Sequence, residues 1–94
     1  MSNQAKVLLP NQFDYGYHKE FQRLCTEYIG DAAIDEIVFD FSRVEYLDSA
    51  ALGMMLMWHR RAAAANKKMM IKGAKGATAQ ILAMANMQRI FEYI

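Results

Sequence analysis

The stretch Ile37-Val38-Phe39-Asp40-Phe41-Ser42-Arg43-Val44-Glu45-Tyr46-Leu47-Asp48-Ser49-Ala50-Ala51-Leu52-Gly53 decides the fold. From Ile34 to Phe41 the chain is rich in apolar and β-branched residues and has no helical period, which predicts a central strand. A polar connection over Ser42–Tyr46 follows, and Asp48 and Ser49 then open a helix predicted to run to about Ala65. This order places a serine hydroxyl at the positive end of a helix dipole. Phosphate added there is tolerated by the helix yet changes the surface around it.

Elements of both kinds extend outward from this unit. Val7-Leu8-Leu9, stopped by Pro10, reads as a brief edge strand. Asp14 is a candidate N-cap for the first helix. On that helix Tyr17, Phe21, Leu24, Cys25 and Tyr28 fall on one stripe, with Lys19, Glu20, Arg23 and Glu27 off it. Gly30 is expected to end the helix in the left-handed conformation. Asn66 and Lys67 break the second helix, and Met69-Met70-Ile71 reads as a short strand. Gly73 and Gly76 bracket a turn into a third helix, about Ala77 to Met87, and Ile90–Ile94 alternates as a last strand. The order β-α-β-α-β-α-β requires crossover connections and a mainly parallel sheet. The expected fold is therefore α/β: a four-stranded mixed, mainly parallel sheet with three helices, in a single small domain over residues 1–94. Sequence leaves the strand order open.

Composition excludes several classes. Hydrophobic residues make up 54% of the 94, too many for a disordered chain. No apolar run approaches the roughly 18 residues of a spanning helix, and the N-terminus lacks a signal-peptide pattern. One cysteine and eight methionines suit a reducing compartment, so a cytoplasmic location without membrane insertion is expected. Residues 1–50 carry net charge −5 and residues 51–94 net +6, read as complementary surfaces within one folded domain. The cations are too dispersed, and too poor in neighbouring aromatics, for a nucleic-acid footprint.

Ser49 makes a poor nucleophile. A hydrolase elbow has glycines two residues either side of its serine, where this chain has Leu47 and Ala51. Of the two histidines, His18 is expected in solvent on the first helix, and His59 lies about 15 Å along the helix from Ser49. No catalytic residue is assigned. Two histidines and one cysteine lack zinc spacing, and Asp14, Asp40 and Asp48 read as caps even if they converge, so neither metal nor cofactor is expected. Gly73-Ala74-Lys75-Gly76 lacks the Lys-Ser/Thr of a phosphate loop and reads as a helix-opening turn. What remains is modification of Ser49 from outside, set against plain capping by Asp48 and Ser49.

The segment Val44–Gly53 resembles the signature of the STAS domain, the fold of bacterial anti-sigma factor antagonists. Phe13-Asp14 resembles that family's early turn, and Ile81-Leu82 through Ile90-Phe91 its third helix and last strand, so the likeness covers roughly residues 6–94. The resemblance implies that Ser49 is phosphorylated. It implies binding to an anti-sigma factor or serine kinase when Ser49 is unmodified, release on phosphorylation, and restoration by a PP2C-like phosphatase. By the same resemblance, a stand-alone STAS protein serves as a non-switching subunit of a lipid-transport ATPase complex. Two departures stand out. Ala50 and Ala51 occupy positions where many members have Ser/Thr then Gly, and the chain ends at Ile94 without the final helix many members carry. With Leu52 as reference, Met55, His59 and Ala62 are expected inward and Met54 and Met57 outward, as a soft docking patch. The expected partner surface is therefore Asp14, Asp48, Ser49, Ala50, Ala51, Gly53, Met54 and Met57, on a monomer or weak dimer.

Overall fold

A computed structural model describes residues 3–94. The main sheet is built from β1 (Gln4–Leu8), β3 (Glu36–Asp40), β5 (Lys68–Lys72) and β6 (Glu92–Tyr93), in the order β1-β3-β5-β6. All neighbouring pairs are parallel, so the expected mixed sheet is replaced by a wholly parallel one. Each crossover steps the same way across the sheet. With right-handed connections, that puts α1 (His18–Ile29), α2 (Ser49–Ala64) and α3 (Gly76–Met84) on one face.

Register sorts the strand residues accordingly. Val7, Phe39 and Ile71 lie in one row and Ile37 beside Met69 in another, all within the core under the helices. Lys6, Val38, Met70 and Glu92 form a row on the opposite face, where Lys6 also pairs with Asp40 at 3.6 Å. The sheet is thus helix-covered on one side and lined with mixed polar and apolar groups on the other.

The helices follow their apolar stripes, with corrections. α1 buries Phe21 and Cys25 and half-buries Tyr17, Leu24 and Tyr28, as its periodicity predicts. It ends at Gly30 in the right-handed region (φ −79°), because the chain continues into a further turn through Asp31 N–H to the Tyr28 carbonyl. The left-handed residue lies later: Asn66 (φ 61°) ends α2, as the break at Asn66-Lys67 predicts. α3 stops at Met84, and Met87 belongs to a separate 3₁₀ turn over Met87–Arg89, entered through left-handed Asn86. At the head of α3, Gly73 (φ +77°) is required twice, since a Cβ there would also meet Ser42 N at 3.3 Å.

The inward line of α2 is Ala51, Met55, Trp58 and Ala62. His59 is only half-buried, its ring edge-on to Phe91 with centroids 4.9 Å apart. His18 is not free in solvent either: its ring stacks on Tyr15 at 4.2 Å and its Nδ1 lies 2.7 Å from the Tyr15 carbonyl. Among the described residues, ion pairs join Lys6 to Asp40 and Arg23 to Glu20 and Glu27. All of these lie within residues 1–50, so the two oppositely charged halves are not stitched together by ion pairs.

Candidate functional site

The strand-turn-helix around Ser49 contains an element the sequence pattern did not disclose. Gln12–Phe13 (β2) and Tyr46–Leu47 (β4) form a small parallel sheet of their own, with Phe13 in register with Leu47. Asn11 anchors it, its carbonyl accepting from the N–H groups of Glu45 and Tyr46 at 2.8 and 3.2 Å. Phe13 and Leu47 are buried, and Phe13 sits against Tyr17, Phe21 and Phe41 with ring centroids 5.9, 5.2 and 6.2 Å away. This aromatic cluster is a stiff base for what stands above it.

Asp14 and Asp48 stand above it. Each follows its strand by one residue, and each is extended (φ −137°, ψ −169° and φ −107°, ψ 177°), so the two strands run on side by side. Parallel strands lie about 4.8 Å apart, which makes the two aspartates neighbours. Both are caps. Asp14 Oδ1 accepts from Gly16 N–H at 2.8 Å and Oδ2 from Gln12 Nε2 at 2.7 Å, closing the 3₁₀ turn Tyr15–Tyr17 ahead of α1. Asp48 Oδ1 accepts from Ala51 N–H at 2.8 Å and opens α2. Gly16 belongs here for space: a Cβ would stand 3.0 Å from Asp14 Oδ1.

Ser49 is the first residue of α2 and is exposed. Its hydroxyl has no part in the cap, which the Asp48 carboxylate supplies. Of the expected cap pair, the structure assigns the cap to Asp48. Of the other expected surface residues, Gly53 and Met57 are exposed, while Asp14, Asp48, Ala50 and Met54 are half-buried. Ala51 is withdrawn entirely, 0% exposed on the inward line of α2. Met54 packs partly against the core rather than standing free, so Met57 alone gives the outward methionine. Tyr15 and Tyr46, near Asp14 and Asp48 in sequence, are 62% and 53% exposed and were not anticipated.

Asp40 does not join the pair. It is buried at the end of β3 and accepts from Ser42 N–H at 2.8 Å. The Ser42 backbone N–H, then the Ser42 hydroxyl and the Lys6 and Lys72 charges, hold its carboxyl below the ordinary value against the opposing effect of burial. Cys25 is buried and its thiol pushed up to about 12 by desolvation, which leaves it unreactive. Among the described residues, no three His, Cys, Asp or Glu side chains gather as a metal site. No helix among the described residues is long and apolar enough to cross a membrane. The hollows of about 510, 420 and 290 Å³ lie along α1, around Ile34 and Asn66, and beside His59 and Glu92, and Ser49 lines none of them.

A parallel sheet with helices on one face, and an exposed serine opening the second helix after a capping aspartate, defines a small α/β domain. The chain belongs to the STAS domain family: residues 2–92 match the family model described as Mlab, STAS domain. It is 29% identical over 86 residues to the STAS-domain containing protein PA14_20770 of Pseudomonas aeruginosa (strain UCBPP-PA14), covering 92% of this chain and 83% of that one. Its fold is similar to TM1081 of Thermotoga maritima, provisionally described as an anti-sigma factor antagonist (TM-score 0.84, 17% identity, 99% of this chain and 80% of that chain). It is similar also to the phosphorylated form of SpoIIAA, a cell fate determinant of Bacillus (TM-score 0.74, 14% identity, 100% and 85%). At these identities the two solved structures establish the shared fold.

Proposed function

We propose that this chain is an anti-sigma factor antagonist working in the cytoplasm as a non-enzymatic partner switch. Unmodified, it binds an anti-sigma factor or serine kinase through the Asp14 turn, Asp48, Ser49, Ala50, Gly53 and Met57. Transfer of a phosphoryl group from ATP to Ser49 Oγ releases the partner, and a PP2C-like phosphatase hydrolyses the ester to restore binding. The observation that carries this reading is the division of labour at the head of α2: Asp48 holds the helix, leaving the Ser49 hydroxyl exposed and structurally unengaged. Phosphoserine adds about −1.5 to −2 charges at that point. The fold likeness to SpoIIAA, a protein that has a phosphorylated form, supports the same reading.

The test is binding to a purified anti-sigma factor or serine kinase of the host, with Ser49→Ala and Ser49→Asp side by side. Ser49→Asp is expected to weaken binding at least tenfold, about 1.4 kcal/mol, with an unchanged circular dichroism spectrum. Equal binding by the two variants rejects the switch. Intact mass from native cells separates the competing assignment, a constitutive subunit of a transport ATPase, which carries no species heavier by about 80 Da, one phosphate.

A further inference from the structure

The face of the main sheet away from the helices carries three level rows. Strand register gives them as Gln4, Glu36 and Lys68, then Lys6, Val38, Met70 and Glu92, then Leu8, Asp40 and Lys72. Ile94 is next in line beside Lys72, its N–H bonded to the Ile71 carbonyl at 2.9 Å. No helix lies over these rows, because all the crossovers put their helices on the other side. Val38 and Met70 are almost fully buried even so, and the open apolar surface here is Leu8 and Ile94, 40% and 58% exposed.

The rows change regularly across the line between β3 and β5. Opposite charges stand at equivalent distances from it: Glu36 and Lys68, Lys6 and Glu92, Asp40 and Lys72. Apolar groups do the same: Val38 and Met70, Leu8 and Ile94. Pairing within one chain does not account for the pattern. Among the described residues neither Glu36 with Lys68 nor Asp40 with Lys72 forms an ion pair, and Asp40 pairs instead with Lys6 at 3.6 Å. Lys6 and Glu92 stand on opposite edges of the sheet, about 14 Å apart over three strand spacings. They cannot meet in the same chain.

A two-fold axis parallel to the strands, between β3 and β5, exchanges β1 with β6 and β3 with β5. A second copy laid face to face about that axis puts each of these cations over an anion and each apolar group over another. That is the self-complementarity an isologous dimer requires, in the aligned geometry of sheets packed about 10 Å apart. We infer that the open sheet face is a self-association surface, on which a second copy of this chain docks by matching Lys6 to Glu92, Glu36 to Lys68 and Asp40 to Lys72. Opposite charges hold this register, and like charges reject the others. Four strands of up to five residues give a face of about 19 by 17 Å, or roughly 650 Å² over both copies. A stable interface buries about 1,200 Å² or more, so this dimer is weak and depends on concentration. Both Ser49 hydroxyls stay on the helix side of the sheet, clear of this contact.

The experiment is sedimentation equilibrium of the full chain from about 20 μM to about 2 mM, a range that brackets a weak interface. The mean mass is expected to rise with concentration toward twice that of one chain. Lys6→Glu and Glu92→Lys are each expected to associate at least tenfold more weakly, since each sets like charges face to face. Mixed one to one, the two variants are expected to pair with each other within threefold of the unaltered chain. Lys19→Glu and Glu45→Lys, the same charge changes at exposed positions off this face, are expected to change nothing, alone or mixed. Lys6→Glu also removes the contact with Asp40, so Glu36→Lys and Lys68→Glu repeat the mixing test with that contact intact. A chain that stays monomeric throughout overturns the inference. So does a dimer that survives these substitutions, a pair of variants that fails to associate on mixing, or a dimer broken by Met57→Asp on α2 instead.

Discussion

Substitution of Asp48 separates the mechanical role of this residue from its charge. Asp48 Oδ1 accepts the Ala51 N–H at 2.8 Å, satisfying one of the donors that a helix start leaves open. Removing an N-cap side chain costs about 1 kcal/mol, and loss of a negative charge at the helix start costs roughly a further 0.5 kcal/mol. Asp48→Ala loses both, about 1.5 kcal/mol, which for a domain of this size lowers Tm by roughly 6–12 °C. Asp48→Asn keeps a capping oxygen and loses only the charge, so its Tm is expected to fall by about 2–4 °C. Thermal melts followed by circular dichroism read both values. If Asp48→Asn falls as far as Asp48→Ala, charge rather than the cap holds α2, and the claim that Ser49 is relieved of capping fails. If Asp48→Ala leaves Tm unchanged, the 2.8 Å bond does not hold the helix at all.

Two further outcomes follow from the packing and from the acidic groups. Met55 is fully buried on the inward line of α2, so Met55→Ala is expected to lose about 2–5 kcal/mol through lost transfer energy and the cavity left behind, read as a lower urea midpoint. Asp40 has its folded pKa held below the ordinary 3.8, chiefly by the Ser42 backbone N–H. A depressed carboxylate stabilises the fold above its unfolded pKa, and that contribution disappears as pH falls through the lower folded value. Asp40→Asn is therefore expected to be less stable than the unaltered chain at neutral pH, with the difference shrinking below about pH 4 in acid titration. A constant difference down to pH 2 contradicts the assignment.

The sequence disclosed long, periodic elements and concealed short ones. The stripe from Tyr17 to Tyr28 and the run from Ile34 to Phe41 each contain enough residues for a period to show, and both appear where expected. The pairing of β2 with β4 involves two residues on each side, too few for any alternation, and it depends on a contact between positions 34 residues apart. That pairing brings Asp14 to Asp48, so the site was legible as two caps and not as a pair. The α2 stripe was phased on Leu52 rather than Ala51. That phase placed Met55 and Ala62 inward and Met57 outward, as the structure has them, but misplaced His59 and Met54, which lie at the edges of the stripe and are half-buried. Gly30 reads as a left-handed cap by residue type alone, yet the turn after it keeps the chain right-handed. The lack of ion pairs between the halves among the described residues had no sequence signal, since net charge counts groups without placing them.

Paired capping also explains why phosphate would disturb a partner more than the domain itself. The carboxylates of Asp14 and Asp48 already hold the Gly16, Gln12 and Ala51 donors, so a new anion at Ser49 meets the remaining first-turn N–H groups of α2 together with nearby negative charge. Two unit charges about 5 Å apart repel by about 1 kcal/mol in bulk water and by about 3 kcal/mol at the effective dielectric of a protein surface. In the free chain Ser49 faces water, and the repulsion stays near the lower figure. A docked partner excludes that water, so a phosphate of nearly two charges beside two aspartates moves toward the upper figure for each pair. The difference is several kcal/mol, well above the tenfold change set for Ser49→Asp. That variant brings only one charge on a shorter arm, so it marks the lower bound. Enzymatically phosphorylated Ser49 is accordingly expected to bind more weakly than Ser49→Asp, and a phosphoprotein that binds better than the aspartate variant refutes the electrostatic account.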